Sequence, residues 1–335
     1  MAKSKSRSKS KRKDRKILLA IIMILFVGIV LTTSTYAWFT ANRTVTVESI
    51  DVQVSTSQGL QISTDASNWK SIVTNSDITG VSWTGALNQI PSGSKTAVPV
   101  STIGNVNATT GLMDMYKGTI DTGTGGGNIL IAEKSTETLG TGGDFVVFDL
   151  FFQSSVAQTV YLTSNSNVVA KGTSTGIQNA ARVAFITEGS VAYGSAPAAA
   201  QAIKGEEAKW IWEPNYDVHT AAAVNNALNV YNITTGQTNG TKLAYKGVKA
   251  PIAEANDIPL NSTSTDYFAD VTTVGSLASG IPTSTYLNAF DVAEGITKVR
   301  IYMWIEGQDV DCEDRASGGA LTYNLQFSID ANAGS

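Results

Sequence analysis

The sequence predicts an all-β fold: an antiparallel β-sandwich with long loops and one or two short helices, preceded by an N-terminal hydrophobic helix. Three observations predict it. Thr, Ser, Val, Asn and Gly dominate, and charged residues make up only 16% of the chain, so apolar residues come in short runs between turn formers. Two C-terminal segments alternate apolar and polar side chains with the period of a half-buried strand. A long apolar run lies directly behind a basic leader, at the start of the chain.

Residues 1–16 carry nine basic side chains against one acid, Asp14, and residues 17–31 follow without a charge. Residues 32–37 then turn small and polar. That order is what a translocon and a signal peptidase read. With Thr35 at −3 and Ala37 at −1, cleavage falls between Ala37 and Trp38. Counted on to Phe39, the run is twenty-three residues, enough to cross a bilayer as an uncleaved anchor with its basic end inside. Residues 1–37 are thus a signal peptide or a membrane anchor, and residues 38–335 an extracellular β-sandwich domain. The expected partners are the translocon, the signal peptidase and, if the anchor stays, the membrane through residues 17–39.

Charge supports that division. Of 24 basic and 28 acidic residues, nine and one fall in the leader, so the remainder carries 15 against 27, a net charge of about −12. An acidic body disfavours nucleic acid as a partner. With one cysteine, Cys312, no internal disulfide forms, and an exported fold must rely on its core. Cys312 itself reads as a buried small apolar side chain, with a reactive thiol or an intermolecular crosslink as the alternatives.

Along the body, Thr44-Val45-Thr46-Val47 places its apolar residues at odd positions and Ile50-Asp51-Val52-Gln53-Val54 at even ones. The flip across Glu48-Ser49 requires a bulge or a change of sheet. Residues 59–62 form the next strand, and residues 63–143 read as long loops with a few short strands. In that stretch the Gly125-Gly126-Gly127 tract lacks the strand–helix setting and the Lys-Ser/Thr of a phosphate loop and reads as a mobile loop. Residues 144–152 are apolar on both faces apart from Asp149, which predicts a central strand, paired after a turn near Ser154 with residues 160–162. Residues 181–186 give another strand, with Arg182 towards solvent or an acidic partner.

Alanine-dense stretches at residues 198–208 and 221–227 predict short helices, with Trp210-Ile211-Trp212-Glu213-Pro214 extended between them because Pro214 disfavours helix before it. Residues 232–285 read as loop. Residues 298–306 put Val299, Ile301, Met303 and Ile305 on one face and Lys298, Arg300, Tyr302, Trp304 and Glu306 on the other; residues 321–329 alternate five apolar residues. Both read as half-buried strands, joined as an antiparallel pair across residues 307–319.

That link holds Asp309, Asp311, Glu313 and Asp314, with Glu306 just before it. Hard oxygen ligands at alternate positions suggest calcium as a candidate cofactor, although the spacing lacks the glycine and terminal Glu of an EF-hand; an ordinary acidic surface loop is the alternative. No other cofactor is expected. Enzyme classes fit poorly. The one histidine, His219, excludes an H-E-x-x-H zinc site, no G-x-S-x-G elbow is present, and Ser92-Gly93-Ser94-Lys95 lacks the companions of its motif. His219 reads as a surface residue, and no catalytic residue is assigned.

The junction Thr35-Tyr36-Ala37-Trp38-Phe39-Thr40-Ala41-Asn42, followed by alternating strands, resembles the amino-terminal region of the camelysin/TasA-like exported proteins of Gram-positive bacteria. The resemblance covers about 25 residues, and this chain is longer and richer in loops. It implies a jelly-roll-like sandwich, a dedicated signal peptidase, and biofilm fibres built from copies of the chain or related matrix subunits by lending an amino-terminal strand. Residues 38–55 would be that strand, with Val45, Val47, Ile50, Val52 and Val54 filling the neighbour's pockets, or the strand pairs within its own sheet. The expected function is a non-enzymatic structural protein of the cell surface or extracellular matrix. The alternative is an adhesin or glycan-binding module that uses Trp69, Trp83, Trp210 and Trp212 as stacking platforms.

Overall fold

The computed structural model describes residues 44–55, 59–91, 96–137, 142–229, 240–259, 264–313 and 317–333. The chain divides into two units, Met1–Tyr36 and Ala37–Ser335. The first unit and the cleavage site Ala37–Trp38 lie outside the described residues. Among the described residues no helix is long and apolar enough to cross a membrane.

The phase flip in the first strand is a bulge. Strand β1 (Val45–Val54) shifts register between Val47 and Ser49, and the extra residue turns Val45, Val47, Ile50, Val52 and Val54 to one side, none more than 5% exposed. Four short strands and a helix follow: β2 (Gln61–Ser63), β3 (Ile72–Val73), α1 (Asn75–Thr79), β4 (Asn88–Gln89) and β5 (Thr96–Ala97). Thr74 precedes α1 and donates its N–H to Asp77 at 3.0 Å, which satisfies a free amide of the first turn. Then come β6 (Val100–Ser101), β7 (Met115–Thr122) and β8 (Asn128–Ser135). Residues 63–143, read as long loops with a few short strands, therefore contain a hairpin of two eight-residue strands, β7–β8, and the glycine tract is its turn, closed by Gly123 N–H to Gly127 O at 2.8 Å.

The largest strands are β9 (Val146–Ser154), β10 (Gln158–Leu162), β11 (Asn167–Ala170) and β12 (Ala181–Val191). Helix α2 (Pro197–Gln201), β13 (Ala208–Glu213) and helix α3 (Ala221–Asn229) occupy the predicted helix–strand–helix region. Pro197 starts α2, where its missing N–H costs nothing. The chain finishes with β14 (Lys246–Val248), β15 (Phe268–Asp270), β16 (Val274–Gly275), β17 (Leu287–Val292), β18 (Gly295–Ile305) and β19 (Ala320–Ser328).

The fold is mostly β, with 43% of the described residues in strands and 9% in helix, so the predicted class holds at that level. Among the described residues one seven-stranded sheet runs β17-β10-β19-β1-β3 with β11 on β19 and β5 on β1; the other runs β16-β13-β12-β18-β9-β2 with β4 on β9. Smaller sheets are β6-β7-β8 and β14-β15. The expectation of purely antiparallel sheets is corrected: β1 is parallel to β19, and β13 to β16. A parallel pair needs a long crossover, and β1 and β19, the first and last strands among the described residues, have the whole intervening chain as theirs.

Two predicted pairings are also corrected. β10 does not pair with β9 but with β17 and β19 in the other sheet, because both edges of β9 are taken, one by β18 and the other by β2 and β4. β18 and β19 are not partners: β18 lies between β12 and β9, whereas β19 lies beside β1 in the other sheet. Strand β9 is central, as its sequence indicates, and β19 alternates buried and half-buried residues as predicted. β18 is instead buried on both faces.

One apolar cluster takes side chains from both seven-stranded sheets, from β1, β10, β17 and β19 on one and β9, β12 and β18 on the other. At its centre Phe152, Phe185, Phe290 and Phe327 contact one another with ring centroids 4.9–5.8 Å apart. Each such pair adds about 0.5–1.5 kcal/mol beyond simple burial. Cys312 is buried in the same cluster, as expected.

Candidate functional site

Strand β1 is seated in its own body. Eight of its residues are in register with β19, and its other edge meets β3 at Val52–Gln53 and β5 at Val45–Thr46. In the single subunit the five side chains fill this chain's own core, the arrangement in which the strand pairs within its own sheet. Burying Val and Ile on one face is worth about 1.5–3 kcal/mol per side chain, which is why the strand is held.

The acidic link is buried rather than a surface loop. Glu306, Asp309, Asp311 and Glu313 are each 5% exposed or less, and Asp314 lies outside the described residues. Asp309 and Glu213 both pair with the fully buried Arg182, the latter at 3.0 Å, and Arg182 also donates to the carbonyls of Asn179 and Ala181. Of the two alternatives for Arg182, the structure shows the acidic partner. Asp311 takes the N–H of Thr220 at 3.1 Å just ahead of α3 and contacts His219 Nδ1 at 2.7 Å; Glu313 accepts from the Thr220 hydroxyl at 2.9 Å. Two carboxylates thus lie where the α3 dipole favours negative charge. Glu306 accepts from Trp304 Nε1 and the N–H of Gln308. Among the described residues no group of three or more His, Cys, Asp or Glu is arranged to hold a metal ion. The four described acids of the link each have a protein partner.

Electrostatics in this cluster follow from burial. It pushes Glu306 up to about 7, against hydrogen bonds from Ser101, Gln308 and Trp304. It pushes Asp309 up to about 6, against the pull of Arg182. For Glu213 burial also raises the carboxyl, but Arg182 and Lys242 outweigh it and hold the group below its usual range. His219 is not a surface residue: its side chain is 5% exposed and bridges Asp311 to the carbonyl of Thr241 at 2.8 Å. Burial alone would lower its pKa; the Asp311 contact overrides that and raises it.

A second charged cluster was missed in the sequence. Lys298 and Arg300 were placed on a solvent face, yet both are 3% exposed or less and meet Asp149 and Glu188. One signal for it stands in the sequence: Asp149 in the most apolar segment of the body requires a buried cation beside it, and Lys298 and Arg300 sit two apart on another apolar strand. Glu188 enters through a bulge, the register of β12 on β18 shifting between Thr187 and Gly189. Burial raises Glu188 to about 7 despite Arg300 beside it.

The four tryptophans are not open platforms. Trp212 is fully buried, with Nε1 donating to Ser276 at 2.9 Å, and Trp69, Trp83 and Trp210 are half-buried against the apolar clusters. Trp83 does border a polar cleft of about 540 Å³ lined by Asp65, Asn68, Lys70, Asp77 and Gln201. Its walls are braced internally: Asp65 takes four hydrogen bonds, from Ser63, the amides of Ser67 and Asn68 and the Asn68 side chain, and Trp83 Nε1 donates to Thr64 O at 3.0 Å. Those bonds outweigh burial and hold the Asp65 carboxyl down at about 2. Comparison with known proteins finds no family model, no curated protein and no solved structure that matches this chain.

Proposed function

We propose that the chain is a non-enzymatic, exported structural protein of the cell surface or extracellular matrix, whose copies join by exchanging their first strand. The observation that carries this reading is the position of β1: among the described residues it is the first strand, its five apolar side chains fill the core, and it borders the last strand described. Such a strand can leave its groove without unthreading any other element. A second copy's β1 then makes the same contacts, so exchange costs little beyond the opening step. The leader and the acidic body fit an extracellular location with copies of the chain or related matrix subunits as partners and no nucleic acid. A β-sandwich of jelly-roll type, behind an N-terminal hydrophobic helix, fits the core shared by the two seven-stranded sheets and the apolar run.

A reversible lock tests it. Asp51 and Asn324 are neighbours in register on β1 and β19, and Asp51→Cys with Asn324→Cys ties the strand to its own subunit, neighbouring Cα atoms being within the roughly 4.4–6.8 Å a disulfide spans. Oxidised protein should stay folded and form no fibres by electron microscopy, and reduction should restore them. Fibres from the oxidised form, or none from the wild-type chain, would end the proposal. The cleft beside Trp83 favours the second reading, a glycan-binding adhesin; retention on insoluble cell-wall polysaccharide that Trp83→Ala abolishes would support it.

A further inference from the structure

On the face of β9, β12 and β18 opposite the main core, four charged side chains are sealed together. Lys298 Nζ lies 2.8 Å from Glu188 Oε2 and 3.3 Å from Asp149 Oδ2. Arg300 holds Asp149 through Nε at 2.8 Å and Nη2 at 3.2 Å, and its Nη1 reaches Glu188 Oε1 at 2.7 Å. None of the four is more than 4% exposed. The cluster is closed from above: Gly111, at φ +67°, passes so close that a Cβ there would fall 1.9 Å from Glu188 Oε1, and the Trp83 ring covers Lys298 Nζ at 5.5 Å. Two backbone features built the site. The bulge that inserts Glu188 turns it to the side of Lys298, and it depends on Gly189 at φ +145°. The carbonyl of Ile203 takes a hydrogen bond from Lys298 Nζ at 2.9 Å and fixes the amine between the two carboxyls.

We propose that Lys298 and Glu188 condense into an amide that ties β18 to β12. The roles follow from the contacts. Asp149 has both oxygens held by Arg300 and lies farther from the amine, at 3.3 Å against 2.8 Å for Glu188, so it carries protons and is not attacked. Glu188 is the better one, because its neutral acid is accessible near neutral pH. Lys298 passes one proton to Glu188 and, as the free amine, attacks Cδ; Arg300 Nη1 stabilises the negative oxygen that develops. The nitrogen's second proton goes to Asp149, which hands it to the departing oxygen of Glu188. One C–N bond forms, one C–O bond breaks, and an ammonium and a carboxylate become an amide and one water, with no change in net charge and no outside reactant. Two features favour the product. The reacting groups are held in contact, where effective molarities reach about 10⁵ M or more, and a neutral amide replaces two buried charges whose desolvation works against them. This inference is independent of the strand-exchange proposal.

The test is the mass of the denatured full-length chain. The wild-type protein should be lighter than its sequence by one water, and digestion should yield a branched peptide joining residues 188 and 298, with no tryptic cut after Lys298. Lys298→Arg should have its full calculated mass, and Asp149→Asn should lose the water more slowly. Full mass in the wild type, with Glu188 and Lys298 on separate peptides, overturns the proposal. A branch through Asp149 overturns it equally. Since the wild-type chain alone decides, a variant that fails to fold leaves the test intact.

Discussion

Raising the pH from about 5 to about 8 should destabilise the folded body, because Glu306 and Asp309 are acids whose folded values lie above their unfolded ones. Burial moves Glu306 from 4.5 to about 7 and Asp309 from 3.8 to about 6. Between those limits the folded state keeps a proton that the unfolded state has released, so stability falls as pH rises through the window and levels off above it. Each tenfold change in proton concentration is worth about 1.4 kcal/mol per carboxyl. From pH 5, Glu306 has about two such steps left and Asp309 about one, which makes the loss from these two groups on the order of 4 kcal/mol by pH 8. His219 acts in the same direction: its raised value gives stability that is present at low pH and lost as pH climbs through it. Asp65 and Glu213 are held below their usual range and act oppositely; their stability is present above the unfolded values and is lost only as pH falls towards their folded ones. The stability maximum should therefore lie near pH 4 to 5, roughly where the two sets of windows meet. Urea unfolding followed by tryptophan fluorescence, at fixed ionic strength and several pH values, measures the slope. Glu306→Gln should flatten it by that residue's share. Stability that stays level or rises between pH 5 and pH 8 would refute the reasoning.

Two substitutions probe the interior. Arg182→Met leaves Asp309 buried without its cation and Glu213 with Lys242 alone, and should cost about 3–5 kcal/mol in the same unfolding assay; a loss under about 1 kcal/mol would show that water reaches Asp309. Phe152→Ala empties the centre of the aromatic cluster and should cost about 3–5 kcal/mol, whereas Ile72→Ala, at a residue 49% exposed, should change stability by less than about 0.5 kcal/mol. Similar losses from both would argue against the described core.

Strands were legible where one face meets solvent. The alternation of residues 321–329 and the phase flip at Glu48-Ser49 translate directly into β19 and the bulge of β1, since both are properties of the local chain. The same logic failed for β18. Its Lys298-x-Arg300-x-Tyr302-x-Trp304 face has the polar pattern of a solvent face, but loops from residues 110–111 and 201–203 cover it and Asp149 and Glu188 neutralise it. A charge pattern gives sidedness, and not whether the charged side finds partners more than a hundred residues away.

The acidic link shows the same limit at the candidate site. Asp309, Asp311 and Glu313 are as close in sequence as ligands of one ion. Their destinations, Arg182, His219 and Thr220, are brought to them by β12 and the start of α3. The amino-acid sequence by itself determined the strand-rich class, the short helices, the central place of β9 and the acidic character of the body, because these depend on composition and on periods of two to four residues. Only the tertiary structure decided which strands are neighbours, that β1 and β19 run parallel, and which charges are buried. Pairing is a contest among distant edges, and the cost of burying a charge depends on the partner that the finished fold places beside it.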